Sequence, residues 1–258
     1  MIFNMTRPGA RKLDRVPVLG EDFTYTGNCT VIDDSSEDAG VQWRIKFLTS
    51  GDFTVLTADW LVDAFLVGGG NAGSSGTIAG GKGGDGGRVL SALSRILQRK
   101  IAYNIIIGEG GTTSNTAGQA TSAFGQSSSN GICRSGGRGG AKDTLGRSGS
   151  DGYTEFLEDG ADLYAGSGGG GGGFSSSSVV RTGGRGGTSG GGTGGASGTS
   201  TGSSPTGSYI RGKSGSDGTA NTGGGGGGGG GGKTSDAGGS GGDGGSGIAI
   251  IRKHKEAS

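Results

Sequence analysis

The sequence is poor in residues that do chemistry. Its 258 positions hold two cysteines, one histidine, three prolines and two tryptophans. Cys29 and Cys133 form no CxxC pair and have no histidine cluster around them, so no zinc or redox site is indicated. Nothing in the sequence decides whether these two thiols pair with each other. Acidic and basic residues nearly cancel, 22 against 23, for a formal net charge of +1. The electrostatic footprint of a nucleic-acid binder is therefore missing. Arg7, Arg11, Lys12 and Arg15 at one end, and Arg252, Lys253 and Lys255 at the other, read as solvated tails. No apolar run approaches the ~20 residues a helix needs to cross a bilayer. "MIFNMTRPGARKLDR" lacks the apolar centre of a signal peptide. The expectation is a chain made in a cytoplasm, without membrane insertion and without nucleic acid as a partner.

Catalytic motifs are absent as well. His254 lies in "RKHKEAS", where Glu256 is the sole carboxylate at hand. "IDDSSED" (32–38) gathers carboxylates but lacks the calcium-loop pattern, and a solvated hairpin loop is the simpler reading. Two stretches, "GSYIRGKS" (207–214) and "GGGGGGKT" (227–234), fit the phosphate-loop spacing. Neither follows a buried strand or opens a helix, which is what places amides around a phosphate. In a chain this rich in glycine such matches arise by chance. No enzyme, metal or cofactor is expected.

What the sequence has is glycine, 69 residues of it, of which only five precede residue 68. Collagen is excluded, because no G-X-Y register persists and only Pro205 falls in the glycine-rich part. Apolar strands bracket the glycine. "FTYTGNCTVID" alternates around a Gly27-Asn28 turn, "VQWRIKFL" and "DFTVL" alternate as strands, and "WLVDAFLV" (60–67) is apolar enough to be buried on both faces. "YTEFLEDGADLYAG" reads as a hairpin around Asp159-Gly160. "GIAIIR" (247–252) supplies a last strand. Residues 88–107 are ambiguous. Val89, Leu93, Ile96, Leu97 and Ile101 have helical spacing, whereas a strand, a turn near Gln98–Lys100 and a second strand fit equally well.

The domain reading is an N-terminal arm at 1–22, a β-rich start at 23–67, a glycine-rich region at 68–247 and a final strand with basic tail at 248–258. Strands are expected within the glycine-rich region near 88–107, 121–125 and 153–165. The ten consecutive glycines of 223–232 leave two options, a disordered linker or backbone packed on backbone. Ordering ten residues costs about 10–20 kcal/mol, which a lone extended chain cannot offset. Parallel or antiparallel neighbours can, through amide bonds worth about 0.5–1.5 kcal/mol each. A polyglycine-II helix, three residues per turn and ~3.1 Å per residue, would carry 223–232 across about 31 Å. Interior helices would need uninterrupted glycine. Outer ones would tolerate Lys82, Asp85, Arg138, Arg185 and Asp243.

The order of these pieces, "DFTVLTADWLVDAFLVGGGNAG", "YNIIIGEGGTTS", "TSAFG", "LYAGSGGGGGGF" and "GGSGGDGGSGIAIIR", resembles the glycine-rich domain of bacteriophage tail-fibre and tail-tip proteins over about 41–252. A related arrangement is a tumour-necrosis-factor-like, jelly-roll-like β-sandwich with inserted glycine helices. The resemblance implies strand–turn–strand at 88–107, a mainly β sandwich with an inserted polyglycine-II bundle, and a virion protein whose loops bind a host-surface glycan or protein as a receptor-binding adhesin. It implies other tail proteins as partners through the N-terminal arm, and a homo-oligomer, with a trimer favoured. Loops 112–130, 174–182 and 198–221 would then be recognition loops. Phe174, Tyr209, Arg211, Lys213 and Phe124 are the candidate receptor contacts, the alternative for the rings being that they cap the bundle. The competing functional reading is a purely structural fibre, baseplate or decoration subunit.

Overall fold

A computed structural model describes residues 10–11, 13–36, 41–112, 114–158, 162–200, 209–234 and 237–255. The chain is mainly β, its helix confined to short 3-10 turns among the described residues. The strands are β1 (Ala10–Arg11), β2 (Phe23–Tyr25), β3 (Cys29–Asp33), β4 (Trp43–Phe47), β5 (Gly51–Val55), β6 (Asp59–Val67), β7 (Val89–Leu97), β8 (Ala102–Ile105), β9 (Ser122–Ala123), β10 (Gln126–Ser127), β11 (Tyr153–Thr154), β12 (Leu163–Tyr164), β13 (Thr199–Ser200), β14 (Tyr209–Ile210) and β15 (Ile248–Lys253). One sheet runs β1-β6-β15-β4-β3, with β7 on the other edge of β6; a second runs β2-β5-β8. All pairs within them are antiparallel except β1 on β6.

The alternation in β4 buries Trp43, Ile45 and Phe47 and leaves Arg44 and Lys46 partly exposed. Those three join Trp60, Val62, Ala249 and Ile251 in one cluster with Phe23, Phe53, Val55 and Ile105 from the smaller sheet. On the opposite face Phe65, Val67, Ile248 and Ile250 pack with Phe156 and Tyr164. Strands β6 and β15 are thus covered on both sides, which is why their sequences are apolar without alternation. Gly27-Asn28 does not close a hairpin. It carries the chain from β2 in the small sheet to β3 in the large one. Likewise 88–107 forms strand, corner, strand, with Lys100 at φ 61, and β7 and β8 end up in different sheets. The helical spacing there is overridden. Leu93, Ile96 and Ile101 stay exposed because the edge of β6 needs a hydrogen-bonding partner more than they need cover. Strands β11 and β12 pair as the hairpin reading expects, while its Asp159-Gly160 turn lies outside the described residues. Within the N-terminal arm of 1–22, residues 13–22 lie against the framework. Leu13 and Val16 touch the core, and buried Asp22 holds Arg15 at 2.8 Å. Both cysteines are free thiols.

The glycine-rich residues are ordered. Ten segments, 68–76, 80–87, 134–140, 146–152, 166–173, 181–187, 191–198, 212–218, 223–232 and 238–247, run side by side. Eight close a ring in the order 68–76, 80–87, 134–140, 146–152, 181–187, 191–198, 212–218, 238–247, and 166–173 and 223–232 lie inside it. Amides 225 to 232 donate in rotation to Gly166, Asn71, Ser216, Gly169, Ser74, Lys213, Gly172 and Thr77. They therefore visit three neighbours with a period of three. Carbonyls 223 to 231 accept in the same rotation from 80–87, 238–247 and 191–198. A strand would address two neighbours with a period of two. The interior segments carry the uninterrupted glycine runs, 168–173 and 223–232, and Lys82, Arg138, Arg185 and Asp243 sit exposed on the ring. The amides of the second phosphate-loop match, 227–232, are consumed by this network.

Candidate functional site

The framework strands enter and leave the lattice at one end, at Val67, Val89, Tyr164 and Ile248. Among the described residues, 77–79, 141–145, 174–181, 199–200, 209–211, 233–234 and 237 gather at the other end. Backbone bonds fasten them to one another. Phe174 N–H donates to Ile78 C=O (2.9 Å), Asp143 N–H to Phe174 C=O (2.8 Å), and Gly212 N–H to Ala237 C=O (2.9 Å). β13 pairs with β14, and Ser175 bridges Thr199. The Asp143 carboxylate takes the Ser176 amide at 2.8 Å and its hydroxyl at 3.0 Å. The amide bond, with the hydroxyl bond behind it, holds that carboxyl below its usual range. This end is a set of loops on a stiff base.

The candidate residues separate here. Phe174 is 6% exposed and seats against the end of the lattice, so it caps rather than displays. Phe124 is also 6% exposed and belongs to the main core, its ring near Phe47, Phe53 and Tyr103. Neither presents an aromatic face to solvent, because each ring is the nearest apolar body to cover exposed backbone or core. Tyr209 lies in β14 opposite Ser200, with its side chain outside the described part. Arg211 and Lys213 are exposed. Loop 112–130 is not one of the far-end connections. Its residues lie along 68–76 instead: the Gln119 and Thr116 carbonyls accept from the Gly69 and Ala72 amides, Asn115 N–H donates to Gly73 C=O, and Ser114 Oγ accepts from Ser75 N–H.

Sequence reasoning passed over the apolar residues of the far end. Ile78, Leu145, Val179, Val180 and Ile210 are each about half exposed, from 48% to 58%. The signal was readable: one or two aliphatic residues interrupt polar turns, as in "TIAG", "TLGR", "SSVVRT" and "SYIRG". Large aliphatics spread singly over a surface need no explanation, but several on neighbouring loops mark an interaction site.

A family profile described as a glycine-rich domain matches residues 48–254, most of the chain. The chain belongs to the glycine-rich domain family. No curated protein matches it.

The profile of this glycine-rich domain ends at the residue the sequence left without a partner. His254 Nδ1 lies 2.6 Å from Asp63 Oδ1. Asp63 is 1% exposed and faces a β-bulge where β7 slips against β6. Its carboxylate also accepts from the Ser94 amide (3.0 Å) and from Arg252 Nε (3.1 Å). Arg252 in turn donates to Glu158 (2.8 Å) and lies over the Phe156 ring. The Ser94 hydroxyl sits 3.4 Å from His254 Nε2, which completes a serine–histidine–aspartate alignment. The same carboxylate oxygen caps the Ser94 amide of the bulge, at φ 55, and this cluster pins the last strand and the 155–158 turn onto the sheet.

Burial pushes the Asp63 carboxyl up; bonds from His254, the Ser94 amide and Arg252 outweigh it and leave the group below its usual range. A carboxyl depressed in the folded state stabilises fully above its unfolded value of about 4, and that stabilisation is lost as pH falls through the folded value. Thermal melts should therefore drop on acidification below about pH 4. Asp63→Asn should flatten this acid limb. At pH 7 it should cost about 1–3 kcal/mol, because the charge-assisted bonds from Arg252 and His254 are weakened while Glu158 still pairs with Arg252. An acid limb unchanged in the variant would refute the assignment.

Proposed function

We propose that this chain is a virion protein at the tip of a phage tail or tail fibre, where it acts as a receptor-binding adhesin. The observation that carries the reading is the division of the molecule into two ends. A packed β framework stands at one, and loops with half-exposed aliphatics beside Arg211 and Lys213 stand at the other. A hydrogen-bonded base under the loops lowers the ordering cost of binding. In this reading the two facing sheets are a jelly-roll-like sandwich and the ten segments are polyglycine-II helices. The period of three and the absence of bonds within a segment support the second assignment. The virion is the location, other tail proteins are the partners at the framework end, and a trimer is the favoured assembly. The host-surface glycan or protein meets the loops. Several weak patches on one particle would raise avidity by orders of magnitude without new contacts.

The test is binding of the purified, fluorescently labelled chain to a panel of bacterial strains. Binding to some strains is expected, with a loss of at least about tenfold, some 1.4 kcal/mol, when Val179, Val180 and Ile210 are changed together to serine and the melting temperature is kept. A chain that decorates no strain, alone or multimerised on beads, is a scaffold subunit instead.

A further inference from the structure

The lattice is not evenly charged. Residues 134–151 and 181–187 hold six Lys and Arg against two Asp, an excess of four in a chain whose formal total is +1. These residues form three consecutive members of the ring, 134–140, 146–152 and 181–187, all wrapped around 166–173. Arg147 N–H donates to Arg138 C=O (2.9 Å), and Gly149 N–H donates to Arg185 C=O (2.9 Å), so the backbones of the three arginine sites are adjacent. Arg138, Arg147 and Arg185 are exposed. Among the described residues none of the three has an ion-pair partner, whereas Lys82 on the next segment is neutralised by Asp85 at 2.9 Å. Flanking positions Ser135, Ser148, Ser150 and Thr182 are exposed hydroxyls.

Three unneutralised guanidiniums side by side repel one another, and the folded lattice fixes them there. Such a field attracts a polyanion and is strongest where no carboxylate intrudes. Its density argues for the kind of polyanion. Arg138 follows Arg134, and Arg185 follows Arg181, at the fourth position along; at ~3.1 Å per residue that is about 12 Å along the axis. Nucleic acid carries a phosphate every ~3.4 Å per strand and is gripped through stacking on aromatic rings. These three segments contain no aromatic residue before Tyr153, and that ring is covered by Arg134 at 4.3 Å. A surface of separated guanidiniums with hydroxyls between them suits a chain of sugars that carries a carboxylate, sulfate or phosphate only on some units.

We infer that this lateral face binds acidic polysaccharide. The inference stands apart from the adhesin reading, since it concerns the side of the lattice and not its loop-bearing end. The test is chromatography of the whole chain on immobilised heparin, with neutral dextran and a thymidine 30-mer as competitors. Retention is expected, with log affinity falling against log salt by a slope of about 2 to 3 for three to four charges released. R138Q/R147Q/R185Q should elute at markedly lower salt, with affinity down at least about tenfold for three lost contacts. R99Q/K100N/K233Q, which removes the same charge elsewhere, should elute with the parent. Should the triple variant fold poorly, each single Gln variant is expected to lose two- to threefold. Flow-through of the parent at low salt, equal elution of the two triple variants, unchanged single variants, or displacement by dextran would each overturn the inference. So would displacement by the 30-mer at concentrations below those of free heparin. Strain binding that fails while heparin binding holds would count against the adhesin reading alone.

Discussion

Gly227→Ala is expected to destabilise the lattice by at least about 3 kcal/mol, which lowers the melting temperature by about 10 °C in a chain of this size. An added Cβ would lie less than 3.0 Å from the carbonyl carbon and oxygen of Thr193. Those atoms cannot swing away as a side chain would, because the Thr193 carbonyl already accepts the Ser216 amide at 2.9 Å. Pushing it aside breaks that bond and displaces 191–198 against the rest. The opposing effect, a less mobile unfolded chain, favours alanine by only about 0.4–1 kcal/mol, so the clash wins. Gly125→Ala supplies the contrast. Gly125 has φ +72 and nothing within 4 Å of a Cβ, so only the left-handed backbone resists, at about 1–2 kcal/mol. Calorimetry on the two variants separates crowding from backbone preference. Equal losses would mean that residue 227 is not enclosed.

The parts legible in the sequence were those where one residue type has one physical use. The stretch 60–67 of β6, apolar but for Asp63, had to lie between two covered faces, and unbroken glycine at 168–173 and 223–232 had to be interior, because any side chain would strike a neighbour's carbonyl. The strands of 88–107 were legible only as one of two options. Their helical spacing was real, and the vacant edge of β6 decided against it. Pairing across sheets was not legible at Gly27-Asn28, since a turn dipeptide carries no information about which strand lies beyond it. Whether Phe124 and Phe174 are displayed or covered, the two options the sequence left open, was not legible for a related reason. A ring among glycines and serines looks exposed in sequence, yet it is the one body able to cover a core or a lattice end. The Asp63–His254 pair joins residues 191 apart and left no local signal at all.

The second large effect concerns length rather than bulk. Deleting Gly228 alone should undo the distal half of the lattice, whereas deleting 228–230 together with 239–241 should leave it folded. Amides 229 to 232 donate to Ser74, Lys213, Gly172 and Thr77, each in a different direction from the one before. Removing one residue turns everything beyond it by a third of a rotation, so four donors face neighbours whose carbonyls are already engaged. Buried and unpaired, they cost about 1–3 kcal/mol each, and about 4–12 together against a total stability of about 5–15. Removing three residues restores the order of neighbours. The matching removal at 239–241 keeps the outgoing and returning segments level, since Gly239 N–H donates to Gly230 C=O and Gly242 N–H to Gly227 C=O. The outer turn then withdraws by about 9 Å, and only the bonds of that one turn are lost. Amide hydrogen exchange reads the difference directly. Slow exchange through the remaining glycines is expected in the parent and in the six-residue deletion, and fast exchange beyond residue 227 in the single deletion. Comparable protection in all three would mean that no rotational register exists, and the lattice as a rigid base would go with it.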